Sequence, residues 1–204
     1  MSTSLSTTKL SADDLREEVR KEYAEVALDP PKGYHFHTGR AAADRLGYDP
    51  ALYAGLPDGN IGSFAGTGTP FMLGSINPGE PVVDVGSGSG FDSLIAASLV
   101  GPEGRVIGID MTAEMLDKAR AGAKKMSADH VEFREGFAEN LSLPPESADV
   151  VISNGVLNLT PDKVKTLSEW ARILKPGGRL YIGDILVARV VPPEALDDIS
   201  LWTG

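Results

Sequence analysis

From Pro81 onward, short runs of β-branched apolar residues alternate with segments that carry apolar residues at helical spacing. The apolar runs predict strands at about residues 82–86, 105–109, 131–134, 148–153 and 179–187. The segments between them predict helices at about 91–100, 112–126 and 162–174, the last ended by Pro176-Gly177-Gly178. This alternation is typical of a parallel sheet with helices on both faces. We therefore expect an α/β three-layer sandwich with a mainly parallel sheet.

The chain before residue 76 has a different organisation. Residues 1–11 are rich in Ser and Thr, which predicts a disordered tail, and Ser11 is suited to cap a helix over about 12–26. Turns and short helical pieces follow up to about residue 75. We expect three regions: the tail (1–11), an N-terminal helical region that forms a lid (12–75) and a ligand-binding core (76–204).

Composition excludes several classes of function. A chain of 204 residues is long enough for one domain with a sizeable core. Its formal net charge of −10 argues against a nucleic-acid partner, because phosphate binding needs a basic face. No apolar run reaches the length of a membrane span and the start is not a signal peptide, so we expect a cytoplasmic protein with no membrane partner. The absence of cysteine excludes disulfides, thiolate metal ligands and cysteine nucleophiles.

The segment from Val82 to Asp92, VVDVGSGSGFD, carries the strongest chemical signal. A strand, a Gly-rich turn and a helix N-terminus form a cradle for a nucleotide. The third glycine of a dinucleotide-binding GxGxxG motif would fall on Phe91 or Ser93, so the spacing argues against a nicotinamide cofactor. Asp84 suits a ligand with an ammonium and a sulfonium, and Asp110 ends the next strand, where a ribose-binding acid is expected. These features favour S-adenosylmethionine.

From about Tyr34 onward the chain resembles the class I S-adenosylmethionine-dependent methyltransferases, and within them the arsenite methyltransferase branch. The matching segments are Val83–Asp92, Val106–Met115, Gly136–Pro144, Val151–Leu159 and Leu174–Gly178. The resemblance implies a Rossmann-like fold, S-adenosylmethionine as cofactor and a small-molecule methyl acceptor. It implies no general base, because the sulfonium already activates the leaving group.

The resemblance also implies a set of cofactor-binding residues at the ends of successive strands. These are the cradle residues Asp84, Gly86, Ser87, Gly88 and Gly90, then Asp110 for the ribose, Met111, Phe137, Ala138 and Glu139 around the adenine, and Asn154 for the methionine portion. Asn154 would also face the acceptor, which makes it the predicted catalytic residue. Simpler interpretations stay open: a helix-capping acid for Asp110, a turn residue for Asn154, and core packing for Met111 and Phe137.

The sequence departs from this family at the arsenic-binding cysteines. Arsenite methyltransferases bind trivalent arsenic through cysteines, and the matching positions here are Thr67 and Gly155. A soft arsenic centre has no thiolate ligand in this chain. We therefore disfavour arsenite as the substrate.

The second departure is at the end of the sequence. A class I methyltransferase sheet has seven strands, the last two forming an antiparallel hairpin, and this sequence stops at Gly204 before that hairpin. We expect a truncated core in which the strand at 179–187 is an exposed edge. A fragment, an early end of the reading frame (including a misread selenocysteine codon) and a homodimer paired through this edge are the open explanations.

Other interpretations compete with the leading one. The truncation favours a non-catalytic S-adenosylmethionine-binding or interaction protein, and a nicotinamide-dependent oxidoreductase is the weaker third hypothesis. His35 and His37 have the two-residue spacing of some metal ligands, but no third ligand is evident, so we expect no metal site. We expect this segment to pack over the cofactor, with His37 or Arg40 near the acceptor.

Overall fold

The structure, a computed structural model, describes residues 11–186 and contains one parallel sheet. Its strands are β1 (Pro81–Val85), β2 (Arg105–Asp110), β3 (Val131–Glu135), β4 (Ala148–Asn154) and β5 (Leu174–Gly183). The strand order is β3-β2-β1-β4-β5, and every neighbouring pair is parallel. The predicted α/β fold is confirmed. The order reverses between β1 and β4, and open sheets of this kind bind ligands at the carboxyl ends of the strands beside such a reversal.

Seven α-helices accompany the described strands. They are α1 (Ala12–Leu28), α2 (Gly39–Arg45), α3 (Pro50–Tyr53), α4 (Asp58–Gly62), α5 (Phe91–Val100), α6 (Ala113–Lys125) and α7 (Lys163–Ile173). Short 3-10 turns occupy Pro30–Lys32, Pro70–Met72 and Leu157–Leu159. Within residues 11–186, no helix combines the length and apolar character that crossing a membrane requires.

Apolar side chains pack on both faces of the sheet, because successive strand residues point to opposite faces. Val82 on one face packs with Ala96 of α5. Val83 on the other face packs with Trp170 of α7, whose side chain is fully buried. On the α5 face, residues of α2–α4 pack with α5 and α6 in a further apolar cluster.

Helix α1 begins as the sequence predicts and crosses α6. Ser11 and Asp14 form a capping box, so Ser11 belongs to the helix cap rather than to a tail. Val26 near the end of α1 packs against Met115 of α6, and its carbonyl accepts a hydrogen bond from Ser63 Oγ at 3.2 Å. The predicted disorder of residues 1–10 lies outside the described residues, and the division into lid and core stays a prediction.

The predicted bounds of the last strand, 179–187, are wrong. Helix α7 ends at Ile173, and Leu174 already pairs with Ala148 of β4. Pairing resumes at Arg179, so residues 175–178 form a bulge inside β5 rather than a loop before it. The strand ends at Gly183. As predicted, β5 is an edge of the described sheet, and residues 187–204, where the missing hairpin was argued, lie outside the described range.

Candidate functional site

A deep pocket lies at the carboxyl ends of β1, β2 and β4, where the strand order reverses. The empty space that it encloses together with its open mouth is about 940 Å³. The predicted residues that line it are Asp84, Gly86, Ser87, Gly88, Asp110, Met111, Phe137, Ala138, Glu139 and Asn154. Among the predicted cofactor-binding residues, Gly90 alone is outside this wall. The structure thus brings together residues that are up to 70 positions apart in sequence (from Asp84 to Asn154).

The Gly-rich turn after β1 has a backbone that only glycine adopts readily. Gly86 has φ +75° and Gly88 has φ +51°, and a Cβ on Gly86 would collide with the side chain of Val156. A Cβ on Gly88 would meet no atom closer than Met115 Sδ at 4.0 Å, because that side of the turn is pocket. Gly90 has a different role: its Cβ would lie 2.9 Å from Phe133, so it allows α5 to pack closely.

Ser87 supplies a polar group with no partner in the described structure. Its side chain lines the pocket, is only 6% exposed, and its Oγ forms no hydrogen bond. Buried hydroxyls are nearly always hydrogen-bonded, because an unsatisfied one costs about 1–3 kcal/mol. A polar ligand in the pocket would satisfy it.

Asp110 connects the glycine turn to the loop that follows β2. Its carboxylate accepts hydrogen bonds from the Gly88 amide and from the Thr112 amide, each at 2.8 Å. Burial raises the pKa of Asp110. Each carboxylate oxygen retains a lone pair for a ligand in the pocket. Asp110 therefore has the local bond expected of a capping acid and also lines the site.

Two buried carboxylates lie side by side in the pocket. Asp84 at the end of β1 accepts a hydrogen bond from Ser93 Oγ at 2.6 Å. Asp92 in the first turn of α5 accepts one from the Tyr48 hydroxyl at 2.6 Å and one from Asn154 Nδ2 at 3.0 Å. Burial raises the pKa of Asp92 to about 6. Burial and the charge of Asp92 raise the pKa of Asp84.

The side chain of Asn154 is hydrogen-bonded within the protein at both ends. Its Oδ1 accepts from the amides of Thr67 and Gly68 at 2.8 and 3.0 Å, and its Nδ2 also donates to the Gly68 carbonyl at 2.8 Å. Its hydrogen bond to Asp92 also connects it to α5. Asn154 thus fixes the turn at residues 66–68 against the end of β4, and its predicted catalytic role stays a prediction.

Helix α1 lies at the side of the pocket where the resemblance places the adenine. Arg16 forms an ion pair with the buried Glu139, and its guanidinium lies 5.0 Å from the centre of the Phe137 ring. Val19 and Tyr23 of α1 line the pocket too, and burial raises the pKa of Tyr23. Phe137 is 46% exposed, which core packing does not explain.

The two positions that replace the arsenic-binding cysteines are neighbours in space. A Cβ on Gly155 would lie 3.1 Å from Thr67 Cγ2. Thr67 Oγ1 donates a hydrogen bond to the Gly183 carbonyl at 3.2 Å, and Gly66 and Gly155 line the pocket. The turn at residues 66–68 therefore meets the end of β4 at one side of the pocket.

The expectation for the segment around His37 does not fit this arrangement. Neither His37 nor Arg40 lines the pocket, and the Arg40 guanidinium lies over the Tyr53 ring, 5.2 Å from its centre. His35 Nδ1 lies 3.5 Å from a Glu22 carboxylate oxygen. Among residues 11–186, no group of three His, Asp or Glu side chains is placed to hold a metal ion.

Several residues of the pocket wall were not predicted from the sequence. Arg16 and Tyr23 come from α1, and no local pattern links a helix at the start of the chain to a loop after β3. Asp92 had a signal: it lies within the matching segment and directly follows the glycine turn. An acid in the first turn of a helix, however, has an ordinary explanation in the helix dipole.

Comparisons with known proteins agree with this geometry. A family model described as a methyltransferase domain matches residues 76–202. An arsenite methyltransferase of Halobacterium salinarum is 44% identical over 168 residues, which is 82% of this chain and 42% of that protein. A demethylmenaquinone methyltransferase of Lactococcus lactis is 38% identical over 102 residues, covering 50% of this chain and 40% of that protein. The chain thus spans about two fifths of the length of these relatives.

A solved structure has the same fold. The crystal structure of an arsenic (III) S-adenosylmethionine methyltransferase from Chlamydomonas reinhardtii superposes with a TM-score of 0.67 at 38% identity. The match covers 71% of this chain and 51% of that one.

The fold, the glycine cradle and its two strand-end acids define a class I methyltransferase. The chain belongs to the family of S-adenosylmethionine-dependent methyltransferases. S-adenosylmethionine is its cofactor, and the residues present fit that group: the open side of Gly88, the unpaired Ser87 hydroxyl and the buried carboxylates suit a nucleoside with two cationic centres.

Proposed function

We propose that this chain transfers a methyl group from S-adenosylmethionine to a small organic acceptor rather than to arsenite. One observation supports an organic acceptor rather than arsenite. Thr67 lies next to Gly155, which lines the pocket, the resemblance places the cysteines of the arsenite branch at these two positions, and the chain contains no cysteine. A hydroxyl and a bare backbone do not provide ligands for a soft metalloid.

The residues of the pocket divide the work of binding the cofactor. In this proposal Asp84 attracts the ammonium, Asp110 accepts the ribose hydroxyls, and Phe137 and Glu139 contact the adenine under Arg16. The bound cofactor supplies a methyl group already activated on a sulfonium. What remains for the protein is alignment of the acceptor in a dry pocket, an effect worth up to about 7–11 kcal/mol. Asn154 holds the turn beside which the acceptor would bind.

Labelled methyl transfer tests this function. The chain would be incubated with S-adenosylmethionine labelled in its methyl group and with sets of oxygen, nitrogen, carbon and thiol acceptors, with arsenite in parallel. We expect label in at least one organic set and none in methylated arsenic. Methylation of arsenite at a rate above that of every organic acceptor would contradict the proposal.

A second candidate function is cofactor binding without transfer. It is favoured by Asn154, whose amide is hydrogen-bonded within the protein at both ends. Under this alternative the chain binds S-adenosylmethionine yet produces no labelled product with any acceptor class. The same assay, combined with a binding titration, separates the two functions.

A further inference from the structure

The wall of the cofactor pocket carries an excess of negative charge. Its described charged side chains are Asp84, Asp92, Asp110, Glu139 and Arg16. Arg16 pairs with Glu139, and none of the other three carboxylates forms an ion pair among residues 11–186. Buried carboxylates without a counter-charge are costly, and such clusters occur at functional sites more often than elsewhere.

Asp92 is the carboxylate that the proposed cofactor contacts do not use. The residue is buried, lines the pocket and is hydrogen-bonded to Asn154 at the end of β4. Asn154 Nδ2, at 3.0 Å from Asp92 Oδ2, connects it to the turn at Thr67. Asp92 is therefore at the side of the pocket where the proposed function puts the acceptor.

The geometry assigns Asp92 a role in distinguishing the cofactor from its product. We propose that Asp92 is a specificity-determining residue that favours the positively charged sulfonium of S-adenosylmethionine over the neutral thioether of S-adenosylhomocysteine. The two ligands share their adenosine, ammonium and carboxylate and differ in one methyl group and one positive charge. In the proposed function the sulfur lies beside the acceptor, so the negative charge of Asp92 at that side of the pocket changes their relative affinity, and loss of the sulfonium charge on transfer weakens retention of the product. This inference rests on the proposed function.

The groups around Asp92 allow its charge to be tested separately from its packing. Asp84 faces it from β1, Tyr48 from the loop after α2 and Asn154 from β4. Asp110 acts on Asp84 from β2. Asp92→Asn removes the charge and keeps the shape. Tyr48→Phe removes one hydrogen bond to the same carboxylate and keeps the charge, so it is the matched control.

The experiment is a calorimetric titration of the full chain with each of the two ligands. The measured quantity is the preference, defined as the Kd for S-adenosylhomocysteine divided by the Kd for S-adenosylmethionine. We expect Asp92→Asn to lower the preference by about tenfold, since a partly buried charge pair contributes at least this much. Tyr48→Phe should leave the preference within about twofold of wild type. In the wild-type chain the preference should also fall between about pH 8 and about pH 5, because Asp92, whose pKa burial raises to about 6, becomes protonated in this range.

The outcomes are distinct. An Asp92→Asn chain that binds both ligands with an unchanged preference, or loses affinity for both equally, would overturn this inference and leave the proposed function standing. If this variant did not fold, a wild-type preference that is constant over the same pH range would overturn it. A folded wild-type chain that binds neither ligand would overturn the proposed function and this inference together.

Discussion

Arg16, in the second turn of α1, forms an ion pair with Glu139, which follows β3. Arg16 Nε donates to Glu139 Oε1 at 3.1 Å, and the same guanidinium lies over the ring of Phe137. Glu139 and Phe137 both belong to the segment that the family resemblance assigns to the adenine. Helix α1 thus contributes to the pocket wall, and in the proposed function it covers the bound cofactor.

Removing this ion pair should weaken cofactor binding. We expect Arg16→Ala to raise the Kd for S-adenosylmethionine by about five- to tenfold, because Glu139 is left buried without a partner and Phe137 loses its cation–π contact. Titration calorimetry measures the change. Arg20→Ala is the matched control, since Arg20 is one turn further along α1, half exposed and paired with Glu17. Equal effects of the two substitutions would contradict a closing role for Arg16.

The glycines of the cradle should respond differently to a single methyl group. Gly88→Ala places the methyl in the pocket, so we expect about a tenfold loss of cofactor affinity and an unfolding cost of about 1–2 kcal/mol from the left-handed backbone. Gly90→Ala adds a clash with Phe133 to the same strain, so its larger effect should be on the melting temperature. Gly47→Ala, with φ +81° and no atom within 4 Å of its Cβ, measures the strain alone. If the Gly88→Ala chain bound the cofactor with wild-type affinity, the cofactor would not bind against this turn.

The buried Asp92 carboxylate should lower the free energy of unfolding of the ligand-free protein. Its pKa rises from 3.8 to about 6 on folding, so the folded state binds more protons than the unfolded state between these values. Stability therefore falls as the pH rises through this range, and the loss is complete above the folded pKa. We expect Asp92→Asn to raise the free energy of unfolding by about 1–2 kcal/mol near pH 7.5 and by less near pH 5. Chemical unfolding at both pH values measures this, and destabilisation that is larger at the higher pH would contradict it.

The positions of Thr67 and Gly155 predict a gain of function. We expect the double variant Thr67→Cys/Gly155→Cys to bind arsenite, because it places two thiols at neighbouring positions, one of which lines the pocket, despite a strain of about 1–2 kcal/mol at residue 155. Equilibrium dialysis with arsenic quantification measures binding. The wild-type chain and each single variant are the controls and should retain no arsenite. A folded double variant that retains none would mean that these positions do not form a common site.

The sequence predicted the sheet well where local and long-range preferences agree. The β-branched runs that became β1, β2 and β4 are buried in the described structure and lie within about two residues of their predicted bounds. The last strand was misplaced because Pro176 and Gly177 indicate a loop locally, whereas pairing with β4 extends the strand through a bulge. Tertiary pairing outweighed turn propensity at that point.

The pocket wall was predictable only in part, for a physical reason. Residues that follow the strand ends were identified because the carboxyl ends of parallel strands meet at one edge. Arg16 was not, since its partner Glu139 is 123 positions away and no periodicity encodes that contact. The hydrogen bonds of Asn154 to the turn at Thr67 were equally unpredictable, because they depend on how the region before β1 packs on the sheet.

The most direct test of this account is a calorimetric titration of the 204-residue chain with S-adenosylmethionine, with NADH in parallel and Asp110→Ala as the site variant. We expect saturable binding of S-adenosylmethionine at about one site per chain, no binding of NADH, and at least about a tenfold weaker Kd in the folded Asp110→Ala variant, since a hydrogen bond to a charged group contributes about 1.5–3 kcal/mol. A cooperatively folded chain that does not bind S-adenosylmethionine, or an Asp110→Ala variant with unchanged affinity, would contradict it.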